Sequence, residues 1–174
     1  TAGKTLLTII NDILDFSKIE SGKMEIKPVN YELASLLGDC YNMIQVRAKD
    51  KGLFFRMENS TSIPHLLYGD EVRVRQIIVN LLTNAVKYTE KRKRVFISCM
   101  NGTLIVENEC KPIPEKERKH LFEAFYRPDY SRSRTTGGNG LGLYLTGKIL
   151  DTYRISYALE PTNSGMRFRI DLKK

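Results

Sequence analysis

The chain has 174 residues, carries a formal net charge of +8 and is 41% hydrophobic and 28% charged. That is enough for one hydrophobic core with a short appendage, in the ordinary balance of a globular domain. No apolar run approaches the ~20 residues of a bilayer-spanning helix and no basic-then-apolar leader opens the chain, so this stretch is expected to be soluble. Cys40, Cys99 and Cys110 lack CxxC spacing, which speaks against a zinc site or a disulfide framework and for a reducing, intracellular setting. The positive charge suits nucleic acid, an acidic protein or a polyphosphate ligand, but no basic motif interleaved with aromatics points to nucleic acid.

In chain order, Thr5 to Ser21 repeats Leu6, Ile9, Ile10, Ile13, Leu14 and Phe16 at helical spacing and stops at Gly22, which predicts a helix whose broad apolar face needs a partner. Lys23 to Tyr31 shifts to alternation through Met24, Ile26 and Val29, an edge strand that tolerates Pro28. Glu32 to Lys51 is helical again (Leu33, Leu36, Leu37, Tyr41, Ile44, Ala48), closed by Gly52, and Leu53 to Glu58 is a short strand. Asp70 caps a long helix that buries Val72, Ile77, Ile78, Leu81, Leu82, Ala85 and Val86. Lys91-Arg92-Lys93-Arg94 reads as a solvated turn. Val95 to Cys99 and Thr103 to Val106 are strands joined at Asn101-Gly102, a strong hairpin signal. Pro114 to Phe122 is a short helix, Glu123 to Thr136 an irregular segment and Gly140 to Leu150 another helix. Ile155 to Glu160 and Met166 to Leu172 are closing strands. The expected fold class is α+β: a two-layer α/β sandwich, a mixed sheet packed by three helices and preceded by a helix.

Two segments carry chemistry. In Arg132-Ser133-Arg134-Thr135-Thr136-Gly137-Gly138-Asn139-Gly140-Leu141-Gly142-Leu143 a basic loop runs through glycines into a helix. Glycine lets the backbone approach a ligand closely, and the first N–H groups of a helix have no internal partner, so the tract suits a phosphate. The polar run upstream excludes a dinucleotide-binding fingerprint, and Leu143 after the last glycine excludes a Walker loop. In the Asp70 helix, Asn80, Asn84, Lys87 and Tyr88 share one polar stripe opposite the apolar face. Amide oxygens suit Mg²⁺, which is commonly held by a few protein oxygens together with phosphates, and a lysine meets a phosphate as a point charge.

Together, Asn80-x-x-x-Asn84-Ala85-x-Lys87-Tyr88, Phe122-Glu123-Ala124-Phe125-Tyr126-Arg127 and Gly138-x-Gly140-Leu141-Gly142-Leu143 resemble, in order and spacing, the N, F and G2 boxes of sensor histidine kinases. The resemblance runs from about Lys23 to the end, and Ile9 to Gly22 is similar to the end of the second dimerisation helix of such kinases. It implies a Bergerat-type ATP-binding catalytic domain over residues 23–174, with residues 1–22 as the C-terminal part of the dimerisation helix. Asn80 and Asn84 would hold Mg²⁺ and its phosphates, Lys87 a phosphate, and Tyr88 the nucleotide near its base or ribose. Arg127 would act with Asn80 in catalysis by reaching the γ-phosphate. Phe122 and Phe125 would anchor a lid over the ATP, with Arg132 and Arg134 as its cations. Gly138, Gly140, Leu141 and Gly142 would close it over the phosphates.

The base box departs from the family pattern Asp-x-Gly-x-Gly-Ile: Asn108, Cys110 and Pro112 stand where Asp and the glycines are usual, before Ile113. An amide oxygen still accepts a hydrogen bond from the adenine amino group but without the charge, and weakened rather than abolished ATP binding is expected. The box and the segment after it look like a subset of Gram-positive sensor kinases similar to the vancomycin-resistance sensor, whereas the part through Thr89 looks like hybrid kinases with attached receiver domains.

His65 and His120 lack the setting of a phosphoacceptor, so the resemblance implies transfer to a histidine outside this sequence. The implied partners are the dimerisation and histidine-phosphotransfer domain of the same kinase, a response-regulator receiver domain and, for the full-length protein, a second copy. The implied location is a cytoplasmic domain of a protein that can be anchored in the membrane. Two other readings are an ATP-hydrolysing relative, which would place a carboxylate base where Asn80 stands, and a degenerate nucleotide-binding module, suggested by the altered base box.

Overall fold

A computed structural model describes residues 2–59, 65–128 and 138–172. The chain opens with helix α1 (Ala2–Glu20). Gly22, at φ +65°, ends it: the Gly22 and Lys23 N–H groups fold back onto the carbonyls of Ile19 and Lys18, the paired closing bonds of a glycine-terminated helix.

The strand expected over Lys23 to Tyr31 shrinks to β1 (Val29–Tyr31). Pro28 has no N–H to give a ladder, and the Lys27 N–H is spent at 3.0 Å on the Asp70 carboxylate. β1 pairs antiparallel with a short strand that the alternation did not reveal, β3 (Leu67–Gly69).

Helix α2 (Leu33–Asp50) leads to β2 (Phe54–Asn59), and β3 leads to helix α3 (Glu71–Tyr88). Asp70 caps α3 by accepting from the Arg73 N–H at 3.1 Å, as expected from its position. β4 (Arg94–Met100) and β5 (Thr103–Glu109) join at Asn101 and Gly102, at φ +53° and +74°, the left-handed pair that a two-residue hairpin requires. The helix expected over Pro114 to Phe122 is only α4 (Glu115–Arg118), followed by turns. Helix α5 (Gly142–Thr152) starts two residues later than Gly140, because Gly140 at φ +74° cannot belong to it. Strands β6 (Tyr157–Pro161) and β7 (Gly165–Asp171) close the fold.

The larger sheet has the order β2-β4-β5-β7-β6; β2 runs parallel to β4 and the other pairs are antiparallel. Alternate residues Val95, Ile97, Leu104, Val106, Phe168 and Ile170 turn to one face. There they meet Leu37, Cys40 and Ile44 of α2, Ile78 and Leu82 of α3, and Ile149 and Leu150 of α5. The result is the expected two-layer α+β sandwich: a mixed sheet with helices on one face. Its other face keeps charged residues such as Arg94, Glu107 and Arg169.

Helix α1 lies against this body through a small second core of Leu141, Tyr144 and Leu145 packed by Phe16, Ile19 and Ala124. Phe16 sits 5.2 Å from the Phe125 ring and 5.5 Å from Tyr144, centroid to centroid. Asp15 is paired with Arg73 at 2.9 Å and accepts from Gln76 at 2.8 Å, and the Tyr144 hydroxyl donates to Glu20. Phe16→Ala is expected to loosen α1 while the sandwich stays folded. Amide exchange along residues 9–20 should accelerate roughly tenfold, the consequence of losing one aromatic cluster worth ~1.4 kcal/mol, with β4 and β5 unaffected in the same mass-spectrometric measurement. Leu6, Leu7, Ile10, Ile13 and Leu14 leave a separate apolar stripe of α1 in solvent, each 45–59% exposed. Among the described residues no helix is long and apolar enough to cross a membrane.

Candidate functional site

The polar stripe of α3 and the glycine segment before α5 face each other across a cavity of about 680 Å³, a volume suited to a small-molecule ligand. Asn80, Asn84, Lys87 and Tyr88 form one wall. They face the opening because Ile77, Ile78, Leu81, Leu82, Ala85 and Val86 commit the rest of the helix to the core. The two asparagine amides lie beside the backbone of Gly142: a Cβ there would be 3.8 Å from the Asn80 amide carbon and 3.9 Å from the Asn84 amide nitrogen. Asn80 Nδ2 donates to the Gly142 carbonyl at 3.4 Å.

Lys51, after α2, does not line the cavity but holds the C-terminal end of the α3 wall. Its Nζ donates to the carbonyls of Val86 at 2.8 Å and Lys87 at 2.6 Å, taking up end groups of α3 that have no partner within the helix. Burial lowers its pKa. Sequence reasoning missed this residue; the signal was a lysine directly before a helix-closing glycine.

The opposite wall is Gly138, Asn139, Gly140, Gly142 and Leu143. Gly140 has no substitute: a Cβ would lie 2.7 Å from the Phe125 carbonyl carbon, and the Phe125 N–H donates back to the Gly140 carbonyl at 3.1 Å. A Cβ on Gly138 would come within 3.1 Å of the Lys87 ammonium. Arg127 lines the cavity and donates from Nη1 to the Gly138 carbonyl at 3.1 Å. Thr8, Ile9 and Asp12 of α1 complete the enclosure, a contribution that sequence reasoning did not foresee. Asn139 Nδ2 donates to Asp12 at 3.0 Å. Burial raises the Asp12 pKa; the bond from Asn139 works against this and the neighbouring Asp15 charge adds to it.

The remaining end is more apolar, with Val106, Leu121, Leu159, Met166 and Phe168 near Asn108, Cys110, Lys111 and Ile113. Ile113 is pinned by its N–H, which points to the Met166 sulfur at 3.4 Å. Asn108 Nδ2 donates at 3.0 Å to the hydroxyl of Thr89, a residue buried behind the cavity wall. Burial pushes the Cys110 thiol pKa up, and the neighbouring Asn108 side chain and Met166 backbone work against that rise.

Asn80, Asn84, Lys87, Tyr88, Asn108, Ile113, Arg127, Gly138, Gly140 and Gly142 are thus gathered around one space. Two expected site residues are not. Phe125, at φ +63° and 56% exposed, sends its ring away from the cavity to Phe16, and Leu141 is fully buried in the small core against Tyr144 and Leu145. Phe122 packs with Tyr157 and Phe168 as a core aromatic. Arg132 and Arg134 lie outside the described residues. His120 pairs with Glu123 at 2.7 Å, and His65 is highly exposed, 4.0 Å from Glu32.

A family model described as histidine kinase-, DNA gyrase B-, and HSP90-like ATPase matches residues 69–174. The signal transduction histidine-protein kinase BarA of Escherichia coli is 35% identical over 96% of this chain, which spans 19% of that protein. Hybrid signal transduction histidine kinase F of Dictyostelium discoideum is 36% identical over 95% of the chain and 16% of its own length. Among solved structures, full-length ShkA in complex with AMPPNP has a TM-score of 0.79 at 24% identity, covering 99% of this chain and 37% of ShkA. The catalytic domain of histidine kinase ThkA has a TM-score of 0.69 at 22% identity, covering 83% of this chain and 95% of that domain. With its family match over more than half its length and the same sandwich in these structures, this chain belongs to the histidine kinase-, DNA gyrase B- and HSP90-like ATPase family.

Proposed function

We propose that residues 23–174 are the ATP-binding catalytic domain of a sensor histidine kinase, continuous at residues 1–22 with the end of its dimerisation helix. The domain transfers the γ-phosphoryl of ATP to a histidine outside this sequence. The observation that carries the reading is the opposition of the Asn80, Asn84, Lys87 stripe to Gly138, Gly140 and Gly142 across a cavity whose other end is apolar. A polyphosphate needs the first arrangement and a base the second.

The triphosphate lies between α3 and the start of α5, where helix N–H groups and Lys87 meet its charge. The adjacent Asn80 and Asn84 amides offer neutral oxygens that fit Mg²⁺ shared with phosphates; bound there, the ion would neutralise charge on the transferring group. Arg127, tethered to Gly138, serves the γ-phosphate as a delocalised cation. Asn108 accepts from the adenine amino group, and Ile113 and Met166 pack on the ring. Asn80 has no basic carboxylate with which to activate water, so transfer is favoured over hydrolysis. The exposed apolar stripe of α1 fits the helical hairpin of a homodimeric kinase, whose phosphotransfer domain and a receiver domain are the partners. On this reading the domain is cytoplasmic, within a full-length protein that can be anchored in the cell membrane.

A fluorescent ATP analogue with Mg²⁺ should bind in the micromolar to millimolar range. Asn84→Ala should weaken it at least roughly tenfold, about 1.4 kcal/mol or more. A separately supplied histidine-bearing helical hairpin should then acquire acid-labile phosphate. The absence of binding would favour a degenerate module, the reading that Asn108, Cys110 and Pro112 support; binding without transfer would leave a nucleotide sensor.

A further inference from the structure

We infer that Thr89 determines which base the cavity accepts, by holding the Asn108 side chain with its oxygen toward the ligand. The inference rests on the nucleotide reading above and adds a specificity-determining residue to it.

A carboxylate at position 108 would present acceptors in either orientation. An amide does not: one end accepts and the other donates. With oxygen toward the ligand, Asn108 pairs with the 6-amino group of adenine; with nitrogen toward it, the same side chain pairs with the 6-oxo group of guanine. The surroundings of the amide therefore decide the specificity.

Thr89 is 1% exposed and follows the last residue of α3. Its hydroxyl has a single proton, donated to the Ala85 carbonyl at 2.7 Å. Toward Asn108, 3.0 Å away, it can only accept, so the atom facing it is Nδ2. With its nitrogen so engaged, Asn108 has Oδ1 left for the cavity it lines. A flipped amide would set Oδ1 against the Thr89 oxygen with no proton between them. Guanine would oppose its 6-oxygen to Oδ1 and leave two partly buried acceptors unpaired. Thr89 does not line the cavity; it acts through Asn108 as a positioning residue.

Thr89→Val keeps the shape and removes the acceptor. The end of α3 survives, because the Thr89 N–H also donates to Ala85 at 3.1 Å. Dissociation constants for fluorescent ATP and GTP analogues test the inference in the wild type, Thr89→Val, Thr89→Ser, Asn108→Asp and the Thr89→Val/Asn108→Asp double variant. Wild type and Thr89→Ser should prefer ATP. Thr89→Val should narrow that preference by roughly tenfold or more, the discrimination set by one hydrogen bond. In the Asn108→Asp background the same change should leave the ratio unaltered, since a carboxylate has no donor end. A merely structural Thr89 would weaken both nucleotides equally. A ratio in Thr89→Val within about twofold of wild type, or an equal loss in the Asn108→Asp background, overturns the inference. Nuclear magnetic resonance of the nucleotide-free wild type gives a readout independent of the variants' stability: slow exchange of the Asn108 side-chain amide protons is expected, and exchange as fast as in a free amide overturns it. If the wild type binds neither nucleotide, the nucleotide reading fails and this inference with it; binding with an unshifted ratio defeats this inference alone.

Discussion

Gly165→Ala is expected to lower unfolding free energy by about 3 kcal/mol or more and to weaken nucleotide binding in whatever fraction stays folded. A Cβ on Gly165 would lie 1.9 Å from the Asn108 carbonyl oxygen and 2.9 Å from the Cys110 nitrogen. Both are backbone atoms of the neighbouring strand end, so no side-chain rotation relieves the contact. Gly165 is in register with Glu109, and Cys110 donates to the Ser164 carbonyl at 3.2 Å, which ties β7 to the segment carrying Asn108. Relief requires β7 to part from β5 at the apolar end of the cavity. Urea denaturation and an analogue titration on the same preparation measure both effects. Gly38→Ala in α2, where an added Cβ meets nothing within 4 Å, should instead stabilise by about 1 kcal/mol through helix propensity. Equal stability of the Gly165→Ala variant and wild type would refute the close approach of the two strands.

Asp70→Ala should cost about 3 kcal/mol, more than an isolated helix cap, because the carboxylate serves two segments at once. Its Oδ1 accepts from the Arg73 N–H at 3.1 Å and its Oδ2 from the Lys27 N–H at 3.0 Å, with the residue only 4% exposed. The Asp70 N–H in turn donates to the Tyr153 hydroxyl at 3.2 Å. Losing the side chain frays the first turn of α3 and releases the connection that follows α1. Asp70→Ser should restore the cap alone, recovering about 1 kcal/mol. Equivalent denaturation midpoints for the alanine and serine variants would contradict the cap geometry.

Long elements with a clear period were legible from residue order alone. The apolar spacing of α2, α3 and α5, the Asp70 cap and the Asn101-Gly102 turn are local signals, and tertiary structure obeyed them except at Val72, expected in the buried face of α3 but 71% exposed in its first turn, before the helix meets the core at Ile77. The polar stripe of α3 was legible for the same reason: one face of a helix was committed to the core, so the other had to be free. What escaped depended on distant neighbours. β3 is three residues long, too short for alternation to register. Pro28 and the pull of Asp70 on Lys27 removed most of the expected first strand. Phe125 looked like a lid aromatic, but its left-handed backbone turns the ring onto α1. Leu141, adjacent to the glycines, was claimed by Tyr144 and Leu145. Thr89 carries no motif; its importance comes from a partner nineteen residues away.

The wall that Thr8, Ile9 and Asp12 contribute makes α1 a lever with its bearing at Phe16. One arm ends in the cavity, where Asp12 meets Asn139 across 127 positions of sequence, and the other at Glu20 and Tyr144 on α5. An occupant that touches these three residues favours the orientation of α1 in which they line the cavity. Whatever free energy an occupant lends to one orientation of α1, that orientation must return as affinity for the occupant, so a twist applied far along the helix is felt as a change in dissociation constant.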